Sequence, residues 1–193
     1  IQVSRELTAK KDFNKALEVN EAAEKLALDK LGRASAAYGS CVFNRGRINY
    51  FKGNHQEAET WYLQSLSIRE KVLGKQHPDF AWCLNNLAVL YWDMGYYEKA
   101  ESLYLEAKDI WEKTLGKEHP HYAMTMNNLA LFYRRRGNYE KAETFYLEAK
   151  NICEKVLGKE HPDYAESLTN LGILYSDLGN YEKAETFYLE AKN

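Results

Sequence analysis

Apolar residues recur along this chain at helical spacing. One stripe consists of Leu84, Leu87, Ala88 and Tyr91, spaced as i, i+3, i+4 and i+7. A second stripe follows Gly95 and consists of Ala100, Tyr104, Ala107 and Ile110. The pattern therefore predicts two amphipathic helices joined by a short turn.

This helix pair recurs every 42 residues. Close copies begin at Lys71, Lys113 and Lys155, and weaker copies precede them. We predict one repeat domain of ten helices, with a partial repeat (1–38), three full repeats (39–80, 81–122 and 123–164) and a truncated repeat (165–193). Because both ends lie inside a repeat and the first residue is not Met, the sequence is expected to be a fragment of a longer protein.

Proline and glycine mark the predicted helix ends. Pro78, Pro120 and Pro162 suit a first helical turn, where a missing N–H costs nothing. Gly74 and its copies, Gly116 and Gly158, suit the preceding C-terminal ends. We call the helix after each proline A and the helix after Gly95 or its equivalents B.

The repeated positions resemble the tetratricopeptide repeat. The residues that carry the resemblance are Leu87, Ala88, Tyr91, Gly95, Tyr97, Ala100, Tyr104 and Ala107. The 42-residue period, with LGKxHPxxA and LNNLAxLY, looks like the kinesin-light-chain subtype. The resemblance implies an all-α, right-handed superhelical solenoid of antiparallel helix pairs, in which the A helices line a concave groove. It also implies protein or peptide binding without catalysis.

Composition and charge limit the classes of partner that the sequence predicts. The 193 residues include 26 basic and 28 acidic side chains, a net charge of -2, so no overall field favours nucleic acid or a membrane surface. No apolar run approaches a membrane span. Cys41, Cys83 and Cys153 lack CxxC spacing, which fits a reduced, cytoplasmic protein, and Cys41 and Cys83 are expected to be small buried residues. No cofactor is expected.

The repeats differ mainly in helix A. Gly137 to Asn151 is identical to Gly179 to Asn193, whereas the differences between these two repeats lie from Thr114 to Arg136. Helix B is constrained by its own A helix and by the next repeat. We therefore predict that the less constrained face of helix A is the binding face.

One column of that face is invariant in four repeats. It consists of Asn44, Asn86, Asn128 and Asn170, while the partial first copy has Gln2. Asn is unfavourable inside a helix, so we expect these residues to have a functional or structural role. One hypothesis is a ladder of amides that clamps the main chain of an extended peptide. Alternatively, each Asn ties its helix to the adjacent repeat, or duplication merely copied it.

Aromatic and basic residues flank the Asn column. The further predicted peptide-binding residues are Arg47, Phe51, Trp82, Asn85, Val89, Trp92, Met124, Asn127, Leu131, Arg134 and Arg135. Aromatic side chains are typical anchors, and arginine binds carboxylates, so the ligand is expected to be acidic with an aromatic residue, resembling the peptides of kinesin light chains. Two alternatives stay open: Trp92 packs on the following repeat, and Arg135 pairs with Asp93 or Asp177.

The remaining sequence patterns argue against a metal site and against catalysis. His77, His119 and His161 recur at the repeat period, too far apart to share a metal, and are interpreted as loop caps. No catalytic motif is present, so we expect no enzyme activity. A second hypothesis is a structural spacer, a segment that associates end to end, or a regulator of an attached effector or enzyme domain. Repeat 39–80 departs from the pattern at three positions, occupied by Arg45, Asn49 and Ser65.

Overall fold

A computed structural model describes residues 2–192, and Ile1 and Asn193 lie outside the described residues. The described part contains ten helices: α1 (Gln2–Ala9), α2 (Phe13–Leu31), α3 (Ala36–Phe51), α4 (His55–Leu73), α5 (Pro78–Asp93), α6 (Tyr97–Thr114), α7 (Pro120–Arg135), α8 (Tyr139–Leu157), α9 (Pro162–Asp177) and α10 (Tyr181–Lys192). Odd-numbered helices are A helices and even-numbered helices are B helices. The all-α prediction is confirmed, and the described residues form ten helices as expected.

The helices group into two compact units, one ending at Leu103 and the other beginning at Tyr104 within α6. In the first unit, each helix from α1 to α5 packs on the next along the chain. In the second unit, α7 packs on α8, α8 on α9, and α9 on α10. Within residues 2–192, no helix has the length and apolar character needed to cross a membrane.

Histidine caps the A helices that follow a His-Pro pair. The Nδ1 atom of His77 accepts a hydrogen bond from the N–H of Asp79 at 3.0 Å. His119 and His161 cap α7 and α9 in the same way, at 3.1 and 3.2 Å. These bonds satisfy N–H groups that the first helical turn leaves without a partner. The interpretation of the histidines as caps is confirmed.

Small residues of helix A receive aromatic rings of helix B. Tyr62, Tyr104 and Tyr146 occupy one repeat position and are at most 4% exposed.

The three cysteines are buried as free thiols, which confirms the expectation for Cys41 and Cys83. Burial raises the pKa of the Cys83 thiol to about 12, so this group is an unreactive thiol at neutral pH.

Two glycines provide a matched test of this packing. A Cβ atom on Gly46 would lie 2.7 Å from the ring of Tyr62, which is 1% exposed, whereas one on Gly172 would meet Tyr188, which is 40% exposed and can move. We expect Gly46→Ala to lower the melting temperature, because overpacking costs about 1–3 kcal/mol and the alanine helix propensity offsets only about 1 kcal/mol. Gly172→Ala should be neutral or stabilising. Equal melting temperatures for the two variants would contradict this packing.

The three unusual residues of repeat 39–80 have local partners. Arg45 pairs with Glu21 and Glu24 of α2, the latter at 3.2 Å, and its guanidinium lies 4.5 Å from the Trp61 ring centroid. Asn49 donates to the main-chain oxygen of Arg45 at 3.0 Å. Ser65 donates to the main-chain oxygen of Gly39 at 2.8 Å. Polar contacts therefore replace the apolar ones that the repeat pattern expects here.

Candidate functional site

The four asparagines of the invariant column are not equivalent. Asn44 is 1% exposed, and its Nδ2 atom donates to Ser4 Oγ at 2.9 Å and to Asn20 Oδ1 at 3.0 Å. Asn20 in turn donates to the main-chain oxygen of Cys41 at 3.0 Å. Asn44 thus ties α3 to α1 and α2, which corrects its assignment to the peptide-binding face in favour of the tying alternative.

The preceding repeat explains why Asn44 turns inward. Asn20 stands where the later repeats have a tyrosine such as Tyr62 or Tyr146. The smaller side chain leaves room that the ring fills elsewhere, and a buried amide needs hydrogen-bond partners. Ser4 and Asn20 provide them. A column that is invariant in sequence therefore has two environments in the folded chain.

The other three asparagines of the column are only partly buried. Asn86 donates from Nδ2 to the main-chain oxygen of Trp82, one turn earlier in α5, at 2.8 Å. This bond uses one of the two amide hydrogens and holds the side chain along its helix. Asn128 and Asn170 stand at the same position of α7 and α9. The ladder is thus reduced to Asn86 in the first unit and to Asn128 and Asn170 in the second.

Two predicted residues beside the column lie at helix contacts instead. Asn85 is 3% exposed. Asn127 donates to Ser167 Oγ on the next A helix at 3.1 Å, and its own Oδ1 is buried without a hydrogen-bond partner in the described part of the chain. Burial removes Asn85 from the exposed face, whereas Asn127 is only partly buried and stays a predicted binding residue that also bonds to the next A helix.

Two hydrogen bonds connect consecutive A helices at one repeat position. Tyr50 of α3 donates to Asp93 Oδ2 of α5 at 2.7 Å, and Arg134 of α7 donates to Asp177 Oδ2 of α9 at 2.7 Å. The pairing with Asp177 is therefore made by Arg134, which is only 14% exposed, and not by Arg135 as the alternative supposed. Arg135 is exposed. Arg134 therefore joins α7 to α9, and Arg135 stays a predicted peptide-binding residue.

Arg47 has a different environment from the paired arginines. It is half-buried, and no carboxylate of residues 2–192 forms an ion pair with it. Burial lowers the pKa of Arg47, the interaction with Tyr62 raises it, and the positive charge of Arg5 lowers it. The guanidinium lies 5.9 Å from the ring centroid of Phe51, which is 52% exposed. Arg47 is thus a partly desolvated cation beside an exposed aromatic ring.

Arg5 was not among the predicted binding residues. It lies on α1, 42 residues before Arg47, and so occupies the same position of the preceding A helix. Later repeats have Val89, Leu131 and Ile173 there. This change from basic to apolar along one column was the signal that could have identified Arg5.

The remaining predicted residues are partly buried on α5 and α7. Trp92 packs its ring at 4.9 Å from that of Tyr97, the first residue of its own B helix, so at least one of its contacts lies within its own repeat. Trp82 and Val89 lie on α5, and Met124 and Leu131 lie on α7. In the first unit, Trp82 and Val89 supply apolar area, Asn86 supplies an amide, and Arg5 and Arg47 supply positive charge. In the second unit, Met124 and Leu131, Asn128 and Asn170, and Arg135 supply the same three kinds of group.

Comparisons with known proteins agree on one family of repeats. A family profile, the tetratricopeptide repeat, matches residues 33–107, 85–131 and 122–193. BtubC (BKLC) from P. vanneervenii superposes with a TM-score of 0.84 over 98% of this chain and 75% of that one, at 23% identity. A kinesin light chain-like protein of Podosopora anserina with nearly identical TPR-like repeats gives a TM-score of 0.77 over 99% and 90%, at 24% identity.

The apo form of RapI also superposes, with a TM-score of 0.77 over 98% of this chain and 66% of that one, at 18% identity. No curated protein sequence gives a significant match. At these identities the solved structures show the shared fold, the all-α fold of helix-pair repeats.

Proposed function

Because the chain belongs to the tetratricopeptide repeat family, we propose that it is a non-catalytic, cytoplasmic scaffold module whose A helices bind an extended peptide. Repeats of this family serve generally as protein-binding scaffolds. The finer proposal rests on one observation, the environment of Arg47.

Arg47 is the arginine that we expect to pair with a charged group of the ligand. Arg45 and Arg134 are balanced by carboxylates of neighbouring helices. Arg69, which is 3% exposed, donates to the main-chain oxygen of Asp79. Arg47 is partly desolvated without such a balance, and Arg5 adds a second positive charge. A carboxylate of a bound peptide would offset that desolvation through a charge-assisted hydrogen bond.

An apolar anchor is proposed beside this charge. Phe51 is 52% exposed next to the Arg47 guanidinium. An exposed ring of this size gains about 25 cal/mol for each Å² of apolar surface that a ligand covers. The proposed ligand therefore carries an aromatic residue close to an acidic one.

The amides of the Asn column would hold the ligand main chain. Asn86 retains its Oδ1 acceptor and one amide hydrogen beyond the bond to Trp82. A peptide main chain offers a donor and an acceptor at each residue, so one side chain can satisfy both. We assign the same role to Asn128 and Asn170 in the second unit, with Trp82, Val89, Trp92, Met124, Leu131 and Arg135 as flanking contacts.

A displayed library of random 12-residue peptides, selected on the 193-residue chain, tests the proposal. We expect selected sequences to be enriched in Asp or Glu near an aromatic residue. Arg47→Gln should lower affinity for the acidic peptides about tenfold, the size of a lost charged hydrogen bond. Asn86→Ala combined with Asn128→Ala should weaken binding of all selected peptides. The melting temperatures should stay unchanged.

Arg33→Gln, at an exposed arginine outside the A-helix column, is the matched control and should bind as the unaltered chain does. Selected peptides that bind Arg47→Gln undiminished would refute the acidic subsite. A selection that enriches no sequence would refute peptide binding and favour the spacer or self-association hypothesis.

A further inference from the structure

The loop between a B helix and the next A helix carries a basic residue in every repeat. This residue is Arg33 in the loop between α2 and α3, and a lysine in the three later loops, Lys75, Lys117 and Lys159. Each lysine pairs at 3.3 or 3.4 Å with the glutamate five residues before it, Glu70, Glu112 or Glu154. Leu28 stands at that position before Arg33. Arg33 therefore lacks the carboxylate that the later copies provide.

A second basic residue of this region also lacks the partner seen in a later copy. Lys155, near the end of α8, forms an ion pair with Glu118 of the preceding loop. The equivalents of these two residues are Lys71, near the end of α4, and Ala34. Within residues 2–192, no carboxylate forms an ion pair with Arg33 or Lys71. Two positive charges thus have no internal counter-ion here.

Arg33 and Lys71 line one pocket of about 220 Å³, between the α2–α3 loop and the last turns of α4. The other residues of its lining are Ala34, Ser67, Ile68 and Val72. Ser67 adds a hydroxyl where the later repeats have Asp109 and Asn151. In the part of the chain that the structure describes, the lining therefore combines three hydrogen-bond donors with apolar carbon and has no carboxylate.

The donors of this lining favour one class of anion. A phosphate monoester carries about −1.5 to −2 charges at neutral pH and has three strong acceptor oxygens. It can therefore bind the guanidinium of Arg33, the ammonium of Lys71 and the hydroxyl of Ser67 together. A carboxylate has a single charge and two oxygens. Arginine also binds phosphate through two parallel hydrogen bonds, which adds geometric selectivity.

The size of the pocket indicates what carries the phosphate. Its volume lies below the roughly 300–1,000 Å³ of pockets that enclose a whole small-molecule ligand. It suits a phosphoryl group together with the few carbon atoms next to it, which would pack on Ile68 and Val72. The rest of the ligand would lie outside the pocket. Because the repeats of this family serve as protein-binding scaffolds, a protein segment is the favoured carrier.

We propose that this pocket binds a phosphorylated side chain of a partner protein. The phosphoryl group takes the place that the Glu118 carboxylate has beside Lys155 in the later copy. The pocket lies outside the A-helix column, so the inference does not depend on peptide binding there. Arg33→Gln separates the two sites, because unphosphorylated peptides bound to the column do not use the phosphate donors.

A peptide with one phosphoserine between two runs of three alanines, blocked at both ends, tests this site. NMR spectra of the ¹⁵N-labelled 193-residue chain, titrated with the peptide, should show saturable shifts of the Arg33 side-chain N–H and of the Ser67 and Lys71 amides. The same peptide with serine should cause no such shifts. The peptide with glutamate should bind about tenfold more weakly, because it lacks one charge and one acceptor.

Variants of the pocket should change this binding selectively. Arg33→Gln and Lys71→Gln should each weaken binding of the phosphoserine peptide about tenfold. Ala34→Glu should abolish it, because it restores the carboxylate that pairs with this lysine position in the later copy. Lys117→Gln is the matched control: it alters the Arg33 equivalent whose glutamate is present, and it should leave binding unchanged.

The converse change should create a second site in the later copy. Glu112→Leu combined with Glu118→Ala removes one carboxylate from Lys117 and another from Lys155. The phosphoserine peptide should then also cause saturable shifts of the amides of these two lysines.

Absence of saturable shifts, equal affinities for the phosphoserine and glutamate peptides, or undiminished binding to Ala34→Glu would each overturn the proposal. Inorganic phosphate is titrated in parallel. If it caused the same shifts at the same concentration as the peptide, the partner protein would be refuted in favour of a free anion.

Discussion

Above pH 10 the helices are expected to unfold cooperatively. The tyrosines with a raised pKa are Tyr50, Tyr62, Tyr91, Tyr122, Tyr146, Tyr164 and Tyr175. Burial is the largest cause for each, since a phenolate loses its hydration in the core. The pKa values of Tyr146 and Tyr175 rise to about 12, and a bond to Glu143 contributes to the latter.

The direction of this pH effect follows from the linkage between proton binding and folding. Tyrosine is neutral when protonated, so a folded-state pKa above the unfolded value favours folding while both states keep the proton. That contribution is fully present below pH 10 and is lost as the pH rises through 10 towards 12. Each tyrosine that ionises only in the unfolded chain removes about 1.4 kcal/mol of unfolding free energy per pH unit. Several such residues acting together exceed the stability of an ordinary domain.

Circular dichroism at 222 nm and tyrosinate absorbance at 295 nm, followed from pH 8 to 13, measure this effect. We expect helix loss and ionisation of the buried tyrosines to coincide. Tyr146→Phe removes one buried phenol and should raise the pH of the transition, whereas Tyr181→Phe, at a side chain 72% exposed, should not move it. Ionisation of all tyrosines with the helices intact would contradict the prediction.

The same substitution at two positions of the Asn column should give opposite results. Asn44→Asp places a carboxylate at a site that is 1% exposed and beside the Asn20 oxygen, and both hydrogen-bond partners of Asn44 are uncharged. An uncompensated buried charge costs about 3–5 kcal/mol. Asn86→Asp places the charge at a partly exposed site and should cost less than about 1 kcal/mol.

Urea unfolding of both variants at pH 7 measures the difference. The loss at Asn44→Asp should shrink at pH 4, because burial raises the pKa of the new carboxyl and protonation removes its charge. Equal losses in the two variants would show that both asparagines have the same environment, contrary to the hydrogen bonds of Asn44.

The helices and their ends were predictable because their determinants are local. Periodicity gave the A and B helices, and the proline and glycine positions gave their limits. Histidine capping also depends on neighbouring residues only, as the bond between His77 and Asp79 illustrates. The burial of Cys41 and Cys83 followed from their position on the packed side of helix A.

The roles of individual site residues depend on contacts between repeats, which one repeat cannot reveal. Asn44 and Asn86 differ because Asn20 precedes one and Tyr62 the other. Arg134 reaches Asp177 while its neighbour Arg135 does not, a difference of one residue in helix rotation.

The hydrogen bonds among Ser4, Asn20 and Asn44 also limit how this array can be rearranged. A module such as 123–164 could be exchanged for 81–122, because both join their predecessor across a tyrosine at the position of Asn20. Moving 39–80 to another place would set Asn44 against a tyrosine and deprive its amide of both acceptors. The polar junction therefore encodes repeat order, and shuffling of modules, in evolution or in the laboratory, is restricted to the part of the chain that follows it.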